Sequence, residues 1–283
     1  MFEELRGLPP KTPKPQLSNK KRGCKTVGYG FLIVAIALIV GLVVMIPYFS
    51  NLGAIAEWNN LVKDITTEVN REDFAPNEIT QQDQIDFETK LNQNITLNDG
   101  MIFDQNGTLL LANMNYQNVA MPSTLTLTNK DVACFLNSLI KASWLNEFSE
   151  VLEESDIKIL EVNFTEENIN GIVDASIVGV ISSSSLGDST DRLQSDKLPD
   201  NFYVKLEFSL NTLLNFKVED ANLIINKANA KESKVWNTLF GYDNEEDICF
   251  ITAKYVSDQL NIFTGYWNAN LVFNNNELVI NFA

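Results

Sequence analysis

From Val27 to Phe49 the chain reads VGYGFLIVAIALIVGLVVMIPYF, without one charged residue. A helix rises about 1.5 Å per residue and needs roughly 20 residues to cross a hydrocarbon layer about 30 Å thick. In lipid every backbone polar group must be satisfied inside the segment, so this run is predicted to be a transmembrane helix. Tyr29 and Tyr48 stand at its two ends as interfacial aromatics. Gly28, Gly30 and Gly41 make no GxxxG pair, and helix dimerisation is not indicated.

Charge orients the helix. Arg6, Lys11, Lys14, Lys20, Lys21, Arg22 and Lys25 precede it against Glu3 and Glu4, a net of +5, and the first basic residue after it is Lys63. The positive-inside rule then puts the N-terminus in the cytoplasm and the rest of the chain outside, at the cell membrane as a single-pass protein. The rival reading is a signal peptide cleaved at Ala54-Ile55-Ala56. Its apolar core would exceed the usual length of roughly 7–15 residues, and the A-x-A motif lies well beyond the end of the run. An uncleaved anchor is the expectation. Cys24 precedes the run, so it is no lipoprotein cysteine, although a juxtamembrane thiol is open to acylation.

The formal net charge of the chain is -16, which leaves -21 on everything after the anchor. Such a domain repels phosphate backbones, which argues against nucleic acid as a partner, and none is expected. The chain also contains no histidine. Ser-His-Asp and Cys-His nucleophile systems, His-ligated zinc and imidazole pH switches are therefore unavailable to it. Cys134 and Cys249, both among apolar neighbours, are either a pair or two buried free thiols, the second being the commoner outcome.

Four parts are expected: a disordered basic cytoplasmic arm at 1–26, rich in Pro and Lys; the transmembrane helix at 27–49; a helical stalk leading into the domain at 50–95; and an extracytoplasmic domain at 96–283. Leu52, Ile55, Trp58, Val62, Ile65 and Val69 recur every three or four residues, as on an amphipathic helix that is either a stalk or the first helix of the domain. Gln81 to Asn94 reads as a weaker helix with Ile85, Phe87 and Leu91. Asn106-Gly107 predicts a hairpin between Met101–Asp104 and Thr108–Ala112. Thr128 is expected to cap a helix carrying Val132, Phe135, Leu136, Leu139 and Ile140, and Trp144 to Glu154 also reads as helical.

Strands are expected to dominate the second half: Ile157–Phe164, Ile172–Ser182, Phe202–Phe208, and Phe216–Asn226 as a strand pair or one bent strand. Ala228–Phe240 reads as a helix, Asp247–Phe263 is ambiguous, and Trp267–Phe273 with Glu277–Phe282 forms a hairpin over Asn274-Asn275-Asn276. The fold class is α+β, with a curved, mostly antiparallel sheet packed with a few helices.

Several polar clusters have ordinary explanations. Ser182 to Asp191 reads as a mobile polar loop. Asp243 to Asp247 lacks the alternating ligands and central glycine of a Ca²⁺ loop and reads as a solvated acidic turn. Asn94, Asn106 and Asn163 head N-x-Thr sequons in a chain so rich in Asn that chance matches are expected. No metal and no cofactor is implied, and no catalytic residues stand out. The acids form no obvious pair, so a carboxylate-based hydrolase is the least favoured option.

If the sheet curls round a cavity, its alternating faces would line an apolar pocket. The candidate lining residues are Ile177, Ile181, Val204, Leu206, Phe208 and Val218.

The order of basic arm, anchor, helical stretch, LTLTNKDVACFLNSLI, LPDNFYVKLEFSL and FKVEDANLIINKANAKESKVWNTL resembles the YpmS-type single-anchor bacterial extracytoplasmic proteins. More loosely, it resembles tubular lipid-binding domains. Thr128, Asp131, Leu136 and Asn137 match the helix motif that precedes the curved sheet in such proteins, and the likeness spans roughly residues 123–240. The resemblance implies a cell-envelope role and lipid handling. The expectation is a non-enzymatic, membrane-anchored binder of a lipid or other apolar ligand. The alternative is a scaffolding subunit whose acidic domain steers envelope protein partners.

Overall fold

Period-two alternation places one side of every residue pair against the core, and four long segments here carry it. In the computed structural model, which describes residues 56–97, 102–103, 119–147, 157–183, 198–233 and 247–282, they form an antiparallel meander. Its strands are β4 (Ile157–Phe164), β5 (Ile172–Ser182), β6 (Asn201–Asn211) and β7 (Lys217–Ile225), ending in the short β8 (Ala228–Asn229). A second antiparallel sheet has the order β3-β10-β9, from Thr124–Thr128, Glu277–Phe282 and Ala269–Asn274. The two-residue strands β1 (Thr96–Leu97) and β2 (Val119–Ala120) pair separately. With the helices this is an α+β fold.

The register of β5 on β6 puts Val173 opposite Leu210, Ala175 opposite Phe208, Ile177 opposite Leu206 and Ile181 opposite Phe202. These residues share the inner face with Val162 and Phe164 of β4 and with Ala221, Leu223 and Ile225 of β7. On the opposite face Leu160, Val178 and Tyr203 form a small separate cluster with Ala75. A register shift between Ile159 and Glu161 puts Leu160 and Glu161 both on that face, which lets Ile159 and Val162 both stay in the main core.

Among the described residues the α-helices are α1 (Ala56–Thr66), α2 (Arg71–Phe74), α3 (Gln81–Asn94), α4 (Asn129–Glu147) and α5 (Ile248–Trp267). The periodic residues of α1 are not those of a free stalk. Leu61 and Ile65 are buried in the main core, Asn226 Nδ2 donates to the Ile65 carbonyl at 2.6 Å, and Lys227 N donates to Asp64 O at 3.1 Å. Residues 56–94 thus pack as part of the domain. α3 starts at a reciprocal cap: Thr80 N donates to Asp83 Oδ2 at 2.7 Å, and Asp83 N donates to Thr80 Oγ1 at 3.2 Å. Thr128 and Asp131 do the same for α4, at 2.8 and 3.2 Å.

One sequence expectation changes and two open ones are decided. Ala228–Phe240 begins as strand and turn, not helix, through residue 233. Ile225 pairs with Ala228, and the buried Asn226, at φ 51°, makes the two-residue turn between them. Tertiary hydrogen bonds of the Asn226 side chain set that turn, and helical periodicity carries no trace of them. The ambiguous Asp247–Phe263 is helical and runs on to Trp267, with Asp247 as its cap, Oδ1 accepting from Cys249 N at 2.6 Å. Phe216–Asn226 is one strand with a register shift, not a pair. The final hairpin forms as expected, with Asn276 at φ 63° in its turn.

The predicted anchor at 27–49 and the arm before it lie outside the described residues, as do Cys24, most of the hairpin around Asn106, most of the Ser182–Asp191 loop and Asp243 to Glu246. No helix among the described residues is long and apolar enough to cross a membrane. Cys134 and Cys249 are both fully buried and form no disulfide.

Candidate apolar binding site

The inner face of the large sheet is covered unevenly along the strands. Towards Ile181, Phe202, Val204 and Ile225, close to the Asn226 turn that holds α1, the space is filled by packed side chains. Towards Val173, Ala175 and Leu210, at the other end of the same strands, the layers diverge round a cavity of about 250 Å³. One wall is the large sheet, through Val162, Phe164, Val173, Ala175, Ile177, Phe208 and Leu210. The facing wall is the small sheet, through Leu125, Leu127, Leu271, Phe273, Leu278 and Ile280.

Helices close the sides. α4 contributes Val132, Phe135, Leu136 and Leu139; α3 contributes Leu91; α5 contributes Val256, Gln259, Leu260, Phe263 and Trp267. The spacing on α5 is that of one helical face. Ile262 and Tyr266, also lining, are 49% and 41% exposed, so the C-terminal half of α5 forms a rim between cavity and surface.

Aromatic pairs stiffen these walls. Phe164 meets Phe273 edge-on across the two sheets at 5.7 Å between ring centroids. Phe263 and Trp267 both pack on Phe282 at 6.5 Å. Phe135 is backed by Phe87 at 6.3 Å, and Phe87 by Phe103 at 5.9 Å. Edge-to-face contacts of this kind fix ring orientation as well as burying area.

No Asp, Glu, Lys or Arg is among the described lining residues, and Tyr266, Trp267 and Gln259 supply the polar atoms. Gln259 is 8% exposed, and its Oε1 has no hydrogen-bond partner among the described residues. A buried amide left unpaired costs on the order of 1–3 kcal/mol, so it marks a place where a partner is due.

Of the residues picked from the alternation, Ile177 and Phe208 line this cavity. Ile181, Val204 and Leu206 are buried in the filled part of the core. Val218, opposite Leu210 on β7, is half-buried against the core and lines nothing here. The cavity therefore lies between two sheets and their helices, not in the lap of one curled sheet. Alternation along a strand identifies its inner face; it does not report which stretch of that face another element covers. The α5 residues were legible as a helical stripe only once Asp247–Phe263 was known to be helical.

Several polar side chains outside the cavity are engaged in holding the fold. Glu161, 4% exposed, accepts from Asn77 N at 2.9 Å and from Asn163 Nδ2 at 2.6 Å, which also occupies the Asn163 sequon amide. Asp83 is held at about 2 by the Thr80 hydroxyl first, against the opposing effect of burial, with the Thr80 N–H and the Lys130 ammonium adding to it. Burial, and then the negative Asp131, pushes the Cys134 thiol up to about 12. No cluster of His, Cys, Asp or Glu suited to a metal occurs among the described residues. No family model, curated protein or solved structure matches the chain.

Proposed function

We propose that this protein is a membrane-anchored, extracytoplasmic, non-enzymatic binder of a lipid-like molecule, held at the cell envelope by residues 27–49. The observation that carries the reading is the cavity of about 250 Å³ walled by both sheets and three helices. A core that kept such a volume unfilled would forgo on the order of 6 kcal/mol on the scale measured for engineered cavities. That is comparable with the whole stability of many domains. The volume is that of roughly eight water molecules at about 30 Å³ each, room for a short apolar chain.

The YpmS-type resemblance belongs to the same reading. Its four matching residues act on one wall: Thr128 and Asp131 cap α4, Asn137 ties α4 to β4, and Leu136 faces the cavity.

Native mass spectrometry and solvent extraction of the full chain, purified in lipid nanodiscs, test the ligand. The expected result is an apolar molecule retained at about one per chain. A chain that carries none, and whose unfolding temperature no apolar compound raises, overturns the reading. The anchor is tested separately by alkaline extraction of membranes and by protease protection of the acidic domain.

A further inference from the structure

Gln259 sits on α5 with Val256 and Phe263, one turn away on either side, lining the same cavity. Its amide is more than nine-tenths buried and its Oε1 is unpartnered among the described residues, in a surround where no described lining residue is charged. A purely apolar ligand would leave that amide unsatisfied. A carboxylate or phosphate beside it would be buried without a cation, which is far more costly than burying a neutral group. The amide can also turn over and present Nε2 in place of Oε1. A hydroxyl answers both arrangements, because it donates to the oxygen and accepts from the nitrogen.

We propose that Gln259 is a ligand-recognition residue, and that the cavity takes a single-chain lipid with an uncharged hydroxyl, an aliphatic alcohol by chemical class, in preference to a fatty-acid anion. This rests on the apolar-binding reading above and adds to it the polar group that the site selects. In the bound state the alkyl chain lies among the sheet-face residues Ala175, Ile177 and Phe208, while the hydroxyl meets the Gln259 amide.

The test uses the full chain in nanodiscs, with octane, octanol and octanoate as probes. Relative affinities are taken from the rise in unfolding temperature, since a ligand bound only to the native state stabilises by mass action. Partition into the nanodisc lipid is common to wild type and variant and cancels in their comparison. For Gln259→Leu, the preference for octanol over octane is expected to fall about tenfold relative to wild type, the size of one hydrogen bond to a buried polar group. Gln259→Met, which keeps the length of the side chain, is expected to behave alike. In wild type at neutral pH, octanol is expected to stabilise more than octanoate.

If octane and octanol both bind but their ratio is unchanged in both variants, the Gln259 assignment is wrong while the cavity reading stands. If octanoate binds wild type as well as octanol does, the neutral-hydroxyl preference is wrong. If no probe stabilises wild type, the cavity reading itself fails. The wild-type series decides the last two outcomes even where a variant does not fold.

Discussion

The side-chain amide of Asn137 on α4 pairs with both backbone groups of Ile159 on β4: Nδ2 donates to the carbonyl and the Ile159 N–H donates to Oδ1, each at 2.8 Å. Since β4 is the edge of the five-stranded sheet, one side chain here stands in for a neighbouring strand. Ile79 N adds a bond to Leu160 O at 3.0 Å, so the edge is further closed by the segment before α3. Exposed edges template aggregation, and covering them is a common remedy. The same contact fixes how α4 lies, and with it the Val132, Phe135, Leu136 and Leu139 wall of the cavity.

Replacing Asn137 by Ala removes both bonds and leaves the Ile159 N–H and C=O without that partner. The expected loss is about 2 kcal/mol of unfolding free energy. Asn137→Asp retains the acceptor and loses the donor, and should fall between wild type and Ala. Denaturant titration of the three proteins checks the order.

Filling the cavity should separate binding from folding. Ala175 lines it from β5, and Ala175→Leu places an isobutyl group in the space. Stability is expected to stay within about 1 kcal/mol of wild type or to rise, as for other cavity-filling changes. The apolar molecule retained by wild type should be lost. Retention of the full load by a folded variant, measured by native mass spectrometry, would falsify the cavity as the binding site.

Asn226 separates backbone from side-chain contributions. It sits at φ 51°, donates to Ile65 O at 2.6 Å and accepts from Tyr203 N at 2.8 Å while 2% exposed. Asn226→Gly keeps the backbone conformation and loses both side-chain bonds, at a cost of about 2 kcal/mol. Asn226→Ala adds left-handed strain of about 1 kcal/mol. Hydrogen exchange should show the amides of α1 losing protection first in both variants.

Acid titration should expose Asp83. Its carboxyl is depressed from the model-compound 3.8 to about 2, so its contribution to stability is complete above about pH 4. That contribution is lost as the pH falls from there through about 2. Asp83→Asn should be less stable than wild type at pH 6, with the gap closing towards pH 2. Thermal unfolding followed across that range reads it directly. A gap independent of pH would show that the carboxylate charge contributes nothing.

The buried thiols should be silent. Cys134 is raised to about 12, and both Cys134 and Cys249 are fully buried and not joined in a disulfide. A maleimide applied at pH 8 is expected to label neither in the folded protein and both after denaturation, because the thiolate is the reactive form. Mass mapping of the labelled peptides checks it.

Much of the secondary structure was legible locally because its causes are local. Alternation marked β5 and β6, and the Thr128–Asp131 spacing marked the start of α4. Where local causes were absent the reading slipped. Asn226 turns the chain by bonding to Tyr203 and Ile65, and Asp247–Phe263 has too mixed a pattern for its periodicity to decide. The site divides in the same way. Ile177 and Phe208 share the inner face with Ile181, Val204 and Leu206, and nothing in the strands distinguishes them.

Charge asymmetry, the absence of histidine and the uncharged run at 27–49 are properties of composition and order. By themselves they rule out imidazole chemistry, argue against a nucleic-acid partner and point to a membrane. Which residues surround a cavity was decided only by tertiary packing. A void arises where distant segments fail to meet: β5 and β6 from mid-chain, against α5, β9 and β10 from the end. Gln259 became a candidate for recognition in the same way. Its helix face is apolar in sequence, and only the opposing sheets leave its Oε1 buried with no hydrogen-bond partner among the described residues.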